Sequence, residues 1–405
     1  MDDTPASLDV AAVRSHFPAL SNGVAYFDGP GGTQTPHEVA DAIAATMTSG
    51  ISNHGTVTAA ERRATQTIVA ARAAVADLLG CPEGGVVFTR SATQAAYDVS
   101  RALAKQWQPG DEVLVSRLDH DANVRPWVQA AQAAGATVCW VDFDRDTAEL
   151  TVDDVAGRLS PRTRLVALTG ASNLLGTRPD LPSIAEAVHA AGALLYVDGV
   201  HLTPHAPVSF SELGADFYAC SPYKFFGPHH GVVVADPAQL ERLRPDKLLP
   251  SSDAVPERFE LGTLPYELLA GTTAAVDFIA DLAPSTATGR RDRVLASMRA
   301  VEQYEEELFA RLLDGLSTID EVVLHGSPKL RTPTALFSVA GHTGQQVYEH
   351  LGRLGVNAPA SSFYAIEASR WIGLGEDGAV RAGLAPYTTA EDVDRLVAGV
   401  SELAQ

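Results

Sequence analysis

Lys224 lies in Asp216-Phe-Tyr-Ala-Cys-Ser-Pro-Tyr-Lys-Phe-Phe-Gly-Pro-His-His-Gly-Val-Val-Val234, among aromatic residues, glycine and proline. Two short apolar runs that read as strands flank it. An ammonium group is strongly hydrated and usually stays wet. Held in a tight apolar turn, its pKa falls and the neutral amine can form a Schiff base with an aldehyde. Asp198 closes another apolar run, Leu194-Leu-Tyr-Val-Asp198, earlier in the chain. A lysine and an aspartate at the ends of neighbouring strands are what a pyridoxal phosphate site requires. The amine holds the aldehyde, and the carboxylate keeps the pyridine nitrogen protonated so that the ring can take up electrons.

Three more groups complete such a site. Arg90-Ser-Ala-Thr93-Gln opens a helix after a strand, which places free N–H groups and the positive helix end at an anion. Ser221 adds a hydroxyl to this phosphate cradle. His120, in Leu118-Asp-His-Asp-Ala-Asn-Val-Arg-Pro-Trp127, is the candidate planar group over the ring. Arg381, in Ala379-Val-Arg-Ala-Gly-Leu-Ala-Pro-Tyr387, is the candidate cation for a substrate carboxylate. Each residue type has an ordinary structural use as cap, ion pair or surface decoration. The functional reading comes from their joint occurrence, in order and at strand ends. The glycine-rich Asp28-Gly-Pro-Gly-Gly-Thr33 lacks the G-x-G-x-x-G spacing and is broken by proline, so a plain turn is expected there.

The elements that must position these residues alternate from about residue 85 to 235 as strand and helix patterns. The strand runs are apolar on both faces, as central strands covered by helices are. This rhythm predicts an α/β fold with an open, mostly parallel sheet, whose ligands bind beyond the carboxyl ends of the strands. Ser91, His120, Asn173, Asp198 and His201 fall at those ends. After about residue 265 the pattern changes to long helices (268–282 and 292–316), separate strands (321–325 and 334–339) and helices near 344–354 and 389–403. The expected organisation is a large cofactor-binding domain over 26–265 and a small α+β domain made of 1–25 with 266–405.

Composition narrows the class. The 405 residues are 46% hydrophobic, which suits a globular chain. Lys+Arg 30 against Asp+Glu 50 gives a net charge of −20, which disfavours nucleic acid as a partner. Three separated cysteines give neither a disulfide framework nor a metal pattern. The N-terminus has no apolar core of a signal peptide, and no run approaches the ~20 residues of a membrane span. A reducing, cytoplasmic setting is expected. Two rival functions stand beside the cofactor enzyme. A metal-dependent hydrolase would draw on Asp198, His120, His201, His205 and the His229-His230 pair, although Pro204 spoils a ligand helix. A non-catalytic protein would hold the cofactor as a sensor or scaffold.

Eight motifs in order resemble the class V aminotransferases, specifically the cysteine desulfurase/selenocysteine lyase group. They are Tyr26-Phe-Asp28, Phe88-Thr-Arg-Ser-Ala-Thr93, Asp119-His-Asp-Ala-Asn-Val-Arg-Pro-Trp127, Ala171-Ser-Asn-Leu-Leu-Gly-Thr177, Val197-Asp-Gly-Val-His201, Ser221-Pro-Tyr-Lys224, Phe259-Glu-Leu-Gly-Thr263 and Val380-Arg381. The resemblance implies a fold-type I pyridoxal-phosphate enzyme and a homodimer with sites at the subunit interface, acting on a small amino acid by C–S lyase or aminotransferase chemistry. It implies Lys224 as the cofactor lysine, Asp198 as the ring-nitrogen partner and His120 stacked on the ring. Ala92, Thr93, Ser221 and Tyr223 would bind the phosphate, and Thr263 would reach the phosphate of the partner subunit. Asn173 and Arg381 would hold the substrate carboxylate. His201 stands where the group usually has a glutamine at the ring hydroxyl, and Tyr223 where it usually has a histidine. Desulfurases also carry a cysteine on a loop shortly before the arginine. The corresponding segment here, Val356-Asn-Ala-Pro-Ala-Ser-Ser-Phe-Tyr-Ala-Ile-Glu-Ala-Ser369, has none, which resembles a subfamily without that nucleophile.

Overall fold

Seven short apolar runs pair into one sheet in the computed structural model, which describes residues 7–404. In chain order they are β1 (Val86–Thr89), β2 (Glu112–Ser116), β3 (Thr137–Val141), β4 (Thr163–Thr169), β5 (Leu194–Asp198), β6 (Phe217–Cys220) and β7 (Gly231–Ala235). The spatial order is β1-β7-β6-β5-β4-β2-β3, and only β7 runs against its neighbours. Helical segments link β1 through β6, whereas β6 and β7 form a hairpin whose connection carries Lys224. Alternation along each strand divides the side chains between two cores. Leu114, Val166, Leu195 and Val197 enter one, and Val113, Val115, Leu165 and Tyr196 the other.

A second sheet has four antiparallel strands: β8 (Val322–His325), β9 (Thr334–Val339), β10 (Ala360–Ser361) and β11 (Ala379–Gly383), in the order β10-β11-β9-β8. β8 and β9 lie where the sequence pattern predicts strands, whereas β11 has small residues with little strand propensity of their own. Ala335, Phe337, Val339, Val380 and Ala382 fill the core beneath it. Because side chains alternate, Arg381 between Val380 and Ala382 must leave by the opposite face, and Leu336 across the ladder joins the core of the large sheet. Two short parallel pairings tie the start of the described chain to this region: Ala25–Tyr26 with Val356–Asn357, and Asp28 with Gly383. The helix Tyr266–Ala280 packs against the helices His37–Thr48 and Ala59–Leu79. No helix among the described residues is long and apolar enough to cross a membrane.

Candidate active site

A cavity of about 740 Å³ opens where the carboxyl ends of β1, β2, β4, β5 and β6 face Arg381 of β11. The chain ends at these strands place Ala92, Thr93, His120, Asn173 and Asp198 on its wall. His201, Ser221, Tyr223, Lys224 and Arg381 line it as well. Thr263 does not; it is exposed on the loop ahead of the 266–280 helix.

Lys224 is buried, at 7% exposure, and its Nζ donates to the Pro30 carbonyl. Burial, reinforced by the Arg381 guanidinium, brings its amine down to about 7, against the opposing pull of Asp198 and Asp28. Asp198 accepts one hydrogen bond, from Val200 N at 3.0 Å. Burial raises its carboxyl to about 6, with Val200 N–H and Lys224 restraining it. A buried carboxylate so poorly paired suits a cation brought in by a ligand.

The helix Ala92–Ala104 starts at the end of β1, capped by Ser91 Oγ, which accepts from Gln94 N at 3.0 Å. That cap leaves the N–H groups of Ala92 and Thr93 free at the positive end of the helix. A Cβ at position 231 would lie 2.1 Å from the Ser91 carbonyl carbon and 2.5 Å from Ala92 N. Glycine at the start of β7 is therefore what lets this helix end sit close against the sheet.

His120 Nδ1 accepts from Ala122 N at 3.0 Å, which leaves the proton of the neutral ring on Nε2. Burial, then the charges of Lys224 and Arg381, lower its pKa to about 4, so the ring is neutral at pH 7. His201 is held through Nε2 by Thr334 Oγ1 at 2.9 Å and Thr332 Oγ1 at 3.0 Å. Its Nδ1 is buried with no partner among the described residues, as are Asn173 Oδ1 and Arg381 Nε. Arg381 Nη1 donates to the Asn173 carbonyl at 2.9 Å, and no carboxylate lies within 4.0 Å of its guanidinium among the described residues. Burial works against its charge, with Asp28 the opposing influence. These unpartnered donors and acceptors fit a phosphorylated, heteroaromatic cofactor and a carboxylate substrate: a helix end for the phosphate, an acid for a ring nitrogen, an arginine for the carboxylate.

The structure adds residues that the sequence reading missed. The Asp28–Thr33 segment is a turn, with Gly31 N donating to Asp28 O at 2.7 Å, but Pro30 and Gly31 line the cavity and Pro30 orients Lys224. No spacing rule signals this. The second group is Phe363 and Tyr364, which the sequence marks only as part of the cysteine-free segment and which the structure brings to the cavity wall. Both have positive φ, 50° and 60°. Two adjacent bulky residues in that region cost on the order of 1–3 kcal/mol each, and such strain concentrates at functional sites. The Phe363 ring lies 3.7 Å from the Arg381 Cζ, and the Tyr364 ring stacks on His120 at 5.5 Å.

Other sequence candidates lie elsewhere. None of Cys81, Cys139 and Cys220 lines the cavity, and burial pushes all three thiols up, Cys81 to about 12. The histidines that a hydrolase would use are engaged separately: His205 on Glu305 at 2.8 Å, His230 on Thr272 at 2.6 Å, and His229 stacked on Tyr223. Among the described residues the one cluster with metal-ligand spacing is His16, His37 and Glu38, none of which lines the cavity.

Comparison with known proteins bears on the whole chain. A model of the aminotransferase class-V family matches residues 25–396. An uncharacterized protein of Mycobacterium tuberculosis is 34% identical over 398 residues, covering 98% of this chain and 99% of its own. An aminotransferase-like protein of Gibberella zeae is 30% identical over 407 residues, covering 97% and 98%. The crystal structure of the cysteine desulfurase CsdA from Escherichia coli superposes with a TM-score of 0.84 at 28% identity, over 97% of this chain and 98% of that one. The expected α/β, fold-type I architecture is thus the observed one, with a large mixed sheet and a small antiparallel one.

Proposed function

From a chain that belongs to the aminotransferase class-V family, we propose a pyridoxal-phosphate-dependent enzyme that acts on a small amino acid. The observation that carries this is Lys224: a buried amine, brought down to about 7, in one cavity with the poorly paired Asp198. Bound pyridoxal phosphate supplies an electrophilic aldehyde and a protonated ring that draws electron density from the substrate α-carbon.

The chain's own residues do the rest. The N–H groups of Ala92 and Thr93, with Ser221 and Tyr223, hold the phosphate. Asp198 would pair with the ring nitrogen, and His201 Nδ1 would take the ring hydroxyl. His120, a neutral imidazole, would cover the ring. Arg381 and Asn173 orient the substrate by its carboxylate. Lys224 would hold the cofactor aldehyde and, as a free amine, would move a proton at the substrate α-carbon; the Pro30 carbonyl holds its Nζ in place. With no cysteine of this chain on the cavity wall, sulfur transfer through a protein persulfide does not fit, and C–S or C–Se elimination or aminotransfer does. The reading includes a homodimer in which Thr263 reaches the partner's phosphate. It also includes a cytoplasmic location, in keeping with three cysteines that form no disulfide.

Lys224→Ala tests the proposal. Wild-type protein should show the near-visible absorption of lysine-bound cofactor and trap it covalently with borohydride. The variant should lose both. Cofactor still trapped in Lys224→Ala would overturn the assignment.

A further inference from the structure

We propose that the turn Ser361–Ala365 is the specificity wall of this cavity, with Phe363 seating the carboxylate-binding pair and Tyr364 closing the outer end so that compact side chains are selected. The inference rests on the reading of the cavity as an amino-acid site.

The turn joins both sides of the pocket. The Phe363 carbonyl accepts from Asn173 Nδ2 at 3.0 Å, while its ring lies against the guanidinium of Arg381, 3.7 Å from Cζ. Asn173 follows β4 of the large sheet and Arg381 is on β11 of the small one, so one residue sets the spacing between them. The Tyr364 carbonyl accepts from Asp121 N at 2.7 Å, and its ring stacks on His120 with 22° between the planes. Tyr364 is nevertheless 76% exposed. Core burial therefore does not explain where its ring sits; the ring is placed by the turn and by His120.

The turn is also anchored. The helix Ile366–Trp371 follows at once. Glu367 pairs with Arg125 and, at 3.4 Å, with Arg117, and Trp371 Nε1 donates to the Phe143 carbonyl at 2.8 Å. Two consecutive left-handed residues are held between these anchors and β10. A wall held this way limits what fits beside His120, and removing its one exposed ring should enlarge the space without disturbing the core.

The test uses cofactor-loaded wild type, Tyr364→Ala, Tyr364→Phe and Phe363→Leu. Each is titrated with L-alanine and L-serine and with L-leucine and L-phenylalanine, and the visible spectrum of the bound cofactor gives apparent Kd values. Tyr364→Ala should shift the bulky-to-compact affinity ratio roughly tenfold toward the bulky amino acids, and Tyr364→Phe should restore the wild-type ratio. Phe363→Leu should weaken both classes alike, since the carboxylate is common to them. A ratio unmoved in Tyr364→Ala, with wild type responding to amino acids, sinks the wall and leaves the amino-acid site standing. A wild-type spectrum that responds to none of the four sinks both.

Discussion

Arg72 and Arg381 are both buried arginines, and the fold treats them in opposite ways. Arg72 donates to the Val86 carbonyl and, at 2.9 Å, to the buried Glu260, whose other oxygen accepts from Phe88 N at 3.0 Å. Every charge there has a partner. Arg381 has one carbonyl and the face of a phenyl ring, with no carboxylate in ion-pair range among the described residues. Lys224 and Asp198 share that condition. Burying a charge without a matching one is costly, so it persists where the missing partner arrives with a ligand. The paired arginine fastens β1 to the loop after residue 255; the unpaired groups mark the site.

The contrast breaks first at Arg72. Arg72→Met leaves Glu260 buried and alone and should destabilise the fold by about 3–5 kcal/mol, read by urea unfolding followed by circular dichroism. Arg381→Met removes an unpaired charge, so stability should hold or rise. The loss should appear instead in the apparent Kd for an amino-acid substrate, by about 1.5–3 kcal/mol, the worth of a charged hydrogen bond. Equal destabilisation by both substitutions would show that Arg381 is structural after all.

Acidity sharpens the comparison further. Neutral amine is the nucleophile, and it dominates above the folded pKa. Cofactor-free protein should react with an aromatic aldehyde about tenfold faster per pH unit up to about 7 and then level off, because burial and Arg381 depress Lys224. A rate still climbing at the pKa of an ordinary lysine would place the amine in water. The smallest effect concerns the helix end. Ser91→Ala removes the cap on Gln94 N and should cost about 1 kcal/mol in stability, with a matching loss of phosphate affinity.

Much of the large sheet was readable because its strands are apolar on both faces and bounded by turns. The residues at their carboxyl ends then followed from the parallel rhythm, which is why Ser91, His120, Asn173 and Asp198 meet in one cavity. β11 was not readable from Ala379-Val-Arg-Ala-Gly383, which becomes a strand through its pairing with β9 and β10. The place of Phe363 and Tyr364 in the site was hidden for a related reason: their backbone conformation is imposed by Asn173, by Asp121 and, through the neighbouring Glu367, by Arg125, each distant along the chain.

The sequence by itself determined the local chemistry: a lysine set in an apolar turn, an aspartate ending a buried strand, a capped helix start. These depend on periodicity and on neighbours a few residues away, which any reader of the chain can see. Only the tertiary structure decided that Pro30 receives Lys224, that Arg381 is buried unpaired, and that the Phe363 and Tyr364 rings lie against Arg381 and His120. Those outcomes come from packing between segments hundreds of residues apart, where alternation on β11 and the approach of two sheets choose which side chains share a space.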